Sequence, residues 1–355
     1  MFLPNLPLWA ALLVFVACAA AIWVAGVFLS NYTDVLSERL HLGTALGGLI
    51  LLAVATNLPE IAITVAAALN GQVDVAVSNI LGGIAIQTVV LVALDAFGVR
   101  VKRPLTYQAA SLRLVLEGAV VVAVLAVVVI GAQLPKSAIA FRLSPDVVGI
   151  AVVWAVGLFL TQRAAKLPWH DNGNAPDSQP EPRGHSARKR ATDATNKGVS
   201  TGRAVAVFGA AAVVTLVTGA LLEESGSQAA AHVGLSGVLF GATVLAAATS
   251  LPELSTGLTA VRSGDYQLAF GDIFGGNAFL PVLLLLATVI SGKAILPNAH
   301  NSDLYLTALA ALLTIIYMAG LLFRPARQHA RLGVDSIAVL AVYLLGVAGL
   351  VFLPS

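Results

Sequence analysis

Long apolar runs, each bounded by short polar breaks, recur along almost the whole chain. A helix needs about 20 mainly apolar residues to cross a bilayer. Runs of that kind fall near residues 8–28, 43–69, 72–97, 112–132 and 146–162, and return near 201–222, 234–260, 264–291, 303–323 and 335–353. The pattern predicts five spanning helices, a polar interval and five more. The interval is rich in Pro, Gly, Asn, Asp, Ser, Arg and Lys, includes Arg188-Lys189-Arg190, and reads as a solvated linker. The expected organisation is a five-helix unit over 1–164, a cytoplasmic linker over 165–200 and a second five-helix unit over 201–355. The first run has no basic segment before it and exceeds the ~7–15 apolar residues of a signal peptide, so it reads as a span.

Composition agrees with the pattern. Of 355 residues, 58% are hydrophobic and 11% charged, against about 25% charged in soluble domains. The net charge is +2, and the basic residues form no face interleaved with aromatics. That argues against a nucleic-acid partner. Cys18 is the only cysteine, which excludes an internal disulfide or a thiolate cluster.

Charge placement orients the spans. With the N-terminus outside, Arg39, Arg100, Lys102, Arg103, Arg113, Arg262, Arg324, Arg327, Arg331 and the basic residues from Arg163 to Arg203 all fall inside. Only Lys136, Arg142 and Lys293 remain outside. The positive-inside rule therefore places both termini outside. The Ala/Val-rich composition and compact loops suggest a multi-pass plasma membrane protein of a bacterial cytoplasmic membrane. The sequence leaves the oligomeric state open.

Two glutamates interrupt the apolar runs inside one repeated phrase. Ala55-Thr56-Asn57-Leu58-Pro59-Glu60 returns 193 positions later as Ala248-Thr249-Ser250-Leu251-Pro252-Glu253. The same shift carries 53–90 onto 246–283, aligning Ala53 with Ala246, Gly71 with Gly264, Ala76 with Ala269 and Gly82-Gly83 with Gly275-Gly276. Five spans separate equivalent helices, an odd number, so the second copy enters the membrane upside down. The expected fold is an all-α integral membrane protein, with ten transmembrane helices forming two inverted five-helix repeats.

A carboxylate at membrane depth costs on the order of 3 kcal/mol on insertion scales, so a chain that carries it twice is expected to use it. Thr56, Glu60 and Thr64 are four residues apart in turn and share a helix face. Pro59 has no amide hydrogen, which frees the Ala55 carbonyl; Pro252 does the same for Ala248. Carbonyl, hydroxyl and carboxylate oxygens together suit hard cations such as Ca²⁺ or Na⁺. Gly82-Gly83 and Gly275-Gly276 are expected to permit close approach or local unwinding. Ser78, Asn79, Gln87, Asp272 and Asn277 are candidate further ligands. Asp272 reads equally as a helix cap or a hydrogen-bonded interior acid, and Arg113 with Glu117 as an interfacial ion pair. Asp74, Asp95, Asp146, Glu223, Glu224 and Asp303 fall near span ends and are expected to be solvated.

At these residues the chain resembles the calcium/cation antiporter superfamily, particularly its sodium/calcium exchanger branch. That family carries two inverted repeats, each with a G-T-S-[LV]-P-E phrase followed by G-N-x-x-G-S-N-x-x-[ND]. The resemblance implies acidic ligands at Glu60 and Glu253, hydroxyl ligands at Thr56, Thr249 and Ser250, and backbone carbonyl ligands at Ala53 and Ala246. It also implies alternating access in which spans 8–28 and 201–222 slide across the rest. Asn57 stands where the first repeat usually has serine. Gly83 and Gly276 replace serines, Ile84 an asparagine, Gln87 an asparagine and Leu280 an asparagine or aspartate. With those oxygens missing, the coupling ion stays open between Na⁺ and H⁺.

The leading expectation is a secondary antiporter moving Ca²⁺ or a related cation against Na⁺ or H⁺, with transported ions and no cofactor. The alternatives are a proton-coupled exchanger of another cation and a non-transporting cation-binding membrane protein. An intramembrane metalloenzyme is disfavoured, because His41, His170, His185, His232, His300 and His329 all fall in loops or at span ends. No catalytic residues are expected.

Overall fold

A computed structural model describes residues 3–39, 53–164, 200–350 and 352 of the chain. The expected linker and the first part of the expected span 43–69 lie outside the described residues. The described chain is mostly helical. In chain order the helices are α1 (Leu8–Arg39), α2 (Leu58–Asn70), α3 (Val73–Phe97), the short α4 (Leu105–Ala109), α5 (Leu112–Gly131) and α6 (Pro145–Ala164). Then follow α7 (Thr201–His232), α8 (Gly237–Phe240), α9 (Ala246–Thr249), α10 (Leu251–Arg262), α11 (Tyr266–Phe279), α12 (Leu283–Ser291), α13 (Asn301–Phe323) and α14 (Val334–Leu350). A small hairpin, Gln328–His329 with Leu332–Gly333, precedes α14.

Seven helices among the described residues are long and apolar enough to cross a membrane, or eight if the pair Gly237–Thr249 and Leu251–Arg262, bent by 43°, counts as one. Leu58–Asn70 and Val334–Leu350 are apolar but shorter. The expected spans 43–69 and 335–353 are described only in part, over 53–70 and 334–350. Within the first, residues 53–56 are helical, Asn57 breaks the helix and α2 restarts beyond it. In the second copy a π-helical turn, Gly241–Leu245, adds a further irregularity before α9.

α1 and α7 are both 32 residues long, or about 48 Å at 1.5 Å per residue, against about 30 Å for the hydrocarbon core. They pack along one another and leave apolar side chains such as Leu13, Val16, Val213 and Val217 exposed. Only 28% and 22% of their apolar windows are buried, against 72% for α3 and 61% for the span made by α11 and α12, so the former are peripheral and the latter central. The centre is filled by Ile80, Leu81, Ile84, Leu91 and Leu94 of α3 against Phe270, Phe274 and Tyr317. Phe270 meets both Phe274 and Tyr317 edge to face, at 5.6 Å between centroids.

The glycine pairs do not unwind their helices. Gly82-Gly83 lies inside the continuous α3, and Gly275-Gly276 inside α11; the irregular turn comes later, at Leu280–Val282 with Pro281. Gly82 instead permits contact, since a Cβ there would sit 2.3 Å from the Ala242 Cα in the π-helical turn. In lipid, where tails compete with apolar side chains, such close approach is what holds helices together. Gly71 and Gly264 do a different task, closing α2 and α10 with φ of 74° and 85°.

Four span-end acids expected in solvent are buried: Asp95, Asp146, Glu223 and Asp303 are each 3% exposed or less. Most are compensated by hydrogen bonds. Asp95 accepts from the Leu105 amide (2.8 Å), the Gly333 amide (2.7 Å) and the Ser336 hydroxyl (2.8 Å), tying the α3–α4 loop to the hairpin and α14. Asp303 accepts from the His300 amide and the Ser78 hydroxyl, and Glu223 from Ser227. Asp74 is exposed as expected.

Replacing Gly82 with alanine should destabilise the fold by about 1–3 kcal/mol through overpacking. Gly275→Ala, with no atom within 4 Å of the added methyl, should not lower stability. Thermal unfolding of the detergent-solubilised protein checks the pair: G82A must melt below G275A.

Candidate cation site

Each repeated phrase builds the same broken helix. Asn57 (φ −87°, ψ 13°) and Ser250 (φ −80°, ψ 5°) take matching backbone conformations at the break, with proline in the first turn that follows. Proline lacks the amide that would bond back to residue i−4, which weakens the helix at this point. The side chains then fold back: Asn57 Nδ2 donates to the Ala53 carbonyl (2.6 Å), and Ser250 Oγ to the Ala246 carbonyl (2.7 Å). Thr56 and Thr249 hydroxyls donate to the same carbonyls at 3.4 and 3.2 Å, and the Asn57 and Ser250 amides at 3.2 and 3.1 Å. The carbonyls of Ala53 and Ala246, expected as ligands, are thus engaged by their own helices in this conformation. Glu60 and Glu253 sit in the first turns of α2 and α10, where the helix dipole favours a carboxylate.

The two acids are buried near one another: Glu60 is 0% exposed and Glu253 1%, and the charge of Glu60 bears on Glu253. The contacts are reciprocal: Thr249 and Gln87 approach the Glu60 carboxyl, while Thr56 and Asp272 approach that of Glu253. Each glutamate therefore faces the threonine of the other copy. None of the four glutamate oxygens reaches hydrogen-bond geometry, and the Asn57 Oδ1 and both Gln87 amide atoms are also buried without a partner. A Cβ on Gly276 would lie 3.2 Å from Asn57 Nδ2 and 3.6 Å from Gln87 Oε1, so these three positions adjoin. Unpaired buried oxygens of like charge are costly unless a cation or a proton joins them. The set is oxygen-rich and free of sulfur and imidazole, which suits a hard cation as cargo.

Other expected ligands are arranged differently. Asp272 is an interior acid that accepts from Thr256 Oγ1 at 2.8 Å, not a helix cap. Asn277 spends its amide on the Ile84 carbonyl (3.4 Å) and Thr88 Oγ1 (3.1 Å), leaving its Oδ1 without a partner. Leu280, at the position equivalent to Gln87, is fully buried, and its Cδ1 would lie 3.6 Å from a Cβ on Gly83. The site is therefore polar on the Gln87 side and apolar on the Leu280 side. Thr256 was not among the expected residues, although its spacing of three from Glu253 places it on the same helix face.

Known proteins are similar to this chain in sequence and in fold. A sequence-family model described as "Sodium/calcium exchanger protein" matches residues 10–160 and 203–352. The inner membrane protein YrbG of Escherichia coli (strain K12) is 27% identical over 297 residues, covering 80% of this chain and 84% of that protein. A putative antiporter, CaxA, of Alkalimonas amylolytica is 25% identical over 319 residues, covering 87% and 89%. Among solved structures, the H⁺/Ca²⁺ exchanger CAX aligns with a TM-score of 0.64 at 16% identity, over 97% of this chain and 82% of its own. The sodium–calcium exchanger NCX_Mj aligns with a TM-score of 0.58 at 15% identity, over 96% and 99%. The family match over residues 10–160 and 203–352, with a fold shared with two exchangers, identifies the chain as a multi-pass membrane protein of the sodium/calcium exchanger family.

Proposed function

We propose that this protein is a secondary antiporter that carries Ca²⁺ or a related divalent cation against Na⁺ or H⁺ by alternating access. One observation carries the reading: two buried glutamates from corresponding broken helices converge with all four oxygens unpartnered. Together they neutralise one divalent charge, with Thr56, Thr249, Gln87, Asn57 and Asp272 adding oxygens around it. Ser250, Asn277 and the carbonyls of Ala53 and Ala246 serve as outer members that must exchange hydrogen bonds to reach an ion.

The same reading takes the halves as inverted repeats of ten spans, with 165–200 as a cytoplasmic linker. The equal lengths of α1 and α7, each beginning at positions one shift of 193 apart, support it. So do the matched turns at Gly71 and Gly264, and above all the crossed pairing of each glutamate with the other copy's threonine. Positive-inside counting puts both termini outside a bacterial cytoplasmic membrane. The weakly buried α1 and α7 are the elements suited to slide. Coupling by protons is the second reading, favoured by the missing oxygens at Gly83, Gly276 and Leu280. A carboxyl that releases its metal inside apolar surroundings can take a proton in its place.

Two measurements check the reading. In liposomes, the purified protein should accumulate ⁴⁵Ca²⁺ under an imposed Na⁺ or pH gradient, and Glu60→Gln or Glu253→Gln should lower uptake at least ~10-fold, the effect of about 1.4 kcal/mol. A folded protein silent under both gradients contradicts calcium antiport. In cation-free detergent, either substitution should raise Tm by relieving the repulsion between the acids. A Tm lowered by both contradicts the picture of two acids in conflict.

A further inference from the structure

Beyond the central acids, one crevice contains a carboxylate that the site above does not use. It lies among α5, α6 and α11 and is lined in part by Glu117, Trp154, Thr161, Asp272 and Gly275, together with Ala53. Its volume of about 80 Å³ admits several waters at ~10–15 Å³ each. Arg113 and Gln162, at the first turn of α5 and the last of α6, mark one end. Asp272, which faces Glu253, marks the other. Glu117 lines the same crevice.

Glu117 is poised rather than fixed. Its Oε1 accepts from Arg113 Nε at 3.0 Å, with the Glu117 side chain 12% exposed and that of Arg113 30%. Its Oε2 is buried with no hydrogen-bond partner. That oxygen faces α11, 3.4 Å from where a Cβ on Gly271 would sit, one residue before Asp272. A purely structural ion pair at a span end needs only one carboxylate oxygen and no cavity. Here the second oxygen has no partner, and the crevice that Glu117 lines is lined by Asp272 as well.

We infer that Glu117 is a staging carboxylate on the route of the cation between the basic end of the molecule and the Glu60–Glu253 pair. Arg113 holds the carboxylate while it is empty and swings away when a cation arrives. Under the charge-derived orientation this mouth faces the cytoplasm. The inference rests on the antiporter reading, and its residue is a positioning residue, because it hands the ion on without holding it in the final site.

The test uses reconstituted full-length protein. Glu117→Gln should raise the apparent KM for Ca²⁺ about tenfold while changing the maximal rate much less, and Glu117→Asp should recover most of that loss. A second variant probes the path itself. Cys18 is buried and is the only native cysteine, so Gly275→Cys on a Cys18→Ala background offers one thiol in open crevice space. A cationic methanethiosulfonate reagent should modify it and block uptake. An unchanged KM in E117Q overturns the inference, as does a labelled Gly275→Cys protein that still transports, or one that resists labelling. If the unsubstituted protein moves no cation, the antiporter reading falls and this inference with it. Normal transport by the parent protein with E117Q unaffected removes only the staging role.

Discussion

Two carboxyl groups share one small volume in the middle of an apolar protein, and much of the local structure follows from keeping them there. Inside a bilayer neither can find bulk water, and each raises the cost of the other's charge. The fold answers with local measures. Each acid begins a helix and so meets the favourable end of a dipole. Each break is closed by a side chain bonding back to the preceding carbonyl, so the backbone polarity exposed by proline is absorbed on the spot. What remains unsatisfied is the pair of acids itself.

Around this pair the packing divides into a tight part and a loose part. α3 and the α11–α12 span are mostly buried and approach their neighbours through glycine and alanine, which lets backbone come close to backbone. α1 and α7 pack chiefly on one another and cover the rest from outside. A rigid centre with a separable pair of long helices is an arrangement that rigid-body motion can exploit, because little buried surface has to be rebuilt when the pair shifts. A crevice beside this assembly is lined by Glu117 and Asp272 among mainly apolar side chains.

Much of this was legible in the chain. The apolar runs gave the membrane class, since lipid admits only helices and closed barrels, and the repeated phrase singled out both acids and their threonines. Proline marked each break to within two residues. Other features were not legible. Gly82-Gly83 looks identical in sequence whether it unwinds a helix or lets a neighbour in, and only the presence of Ala242 decides. Asp95 and Asp303 read as solvated because several of their partners, Gly333, Ser336 and Ser78, are more than 200 residues distant in sequence. The Ala53 and Ala246 carbonyls carry no sequence signal of being engaged, since that depends on side-chain rotamers at Asn57 and Ser250. Nor does an Arg–Glu pair at helical spacing reveal that one of its oxygens faces a cavity.

Where a divalent ion rests in this protein can be seen directly. Diffraction from crystals soaked in Sr²⁺, collected near the strontium edge, addresses it without transport or mutation. The account predicts one dominant anomalous peak, with oxygens of both Glu60 and Glu253 within roughly 2.3–2.6 Å of it, the range for a calcium-like ion. A dominant peak coordinated by neither glutamate, or by one while the other turns away, would contradict it.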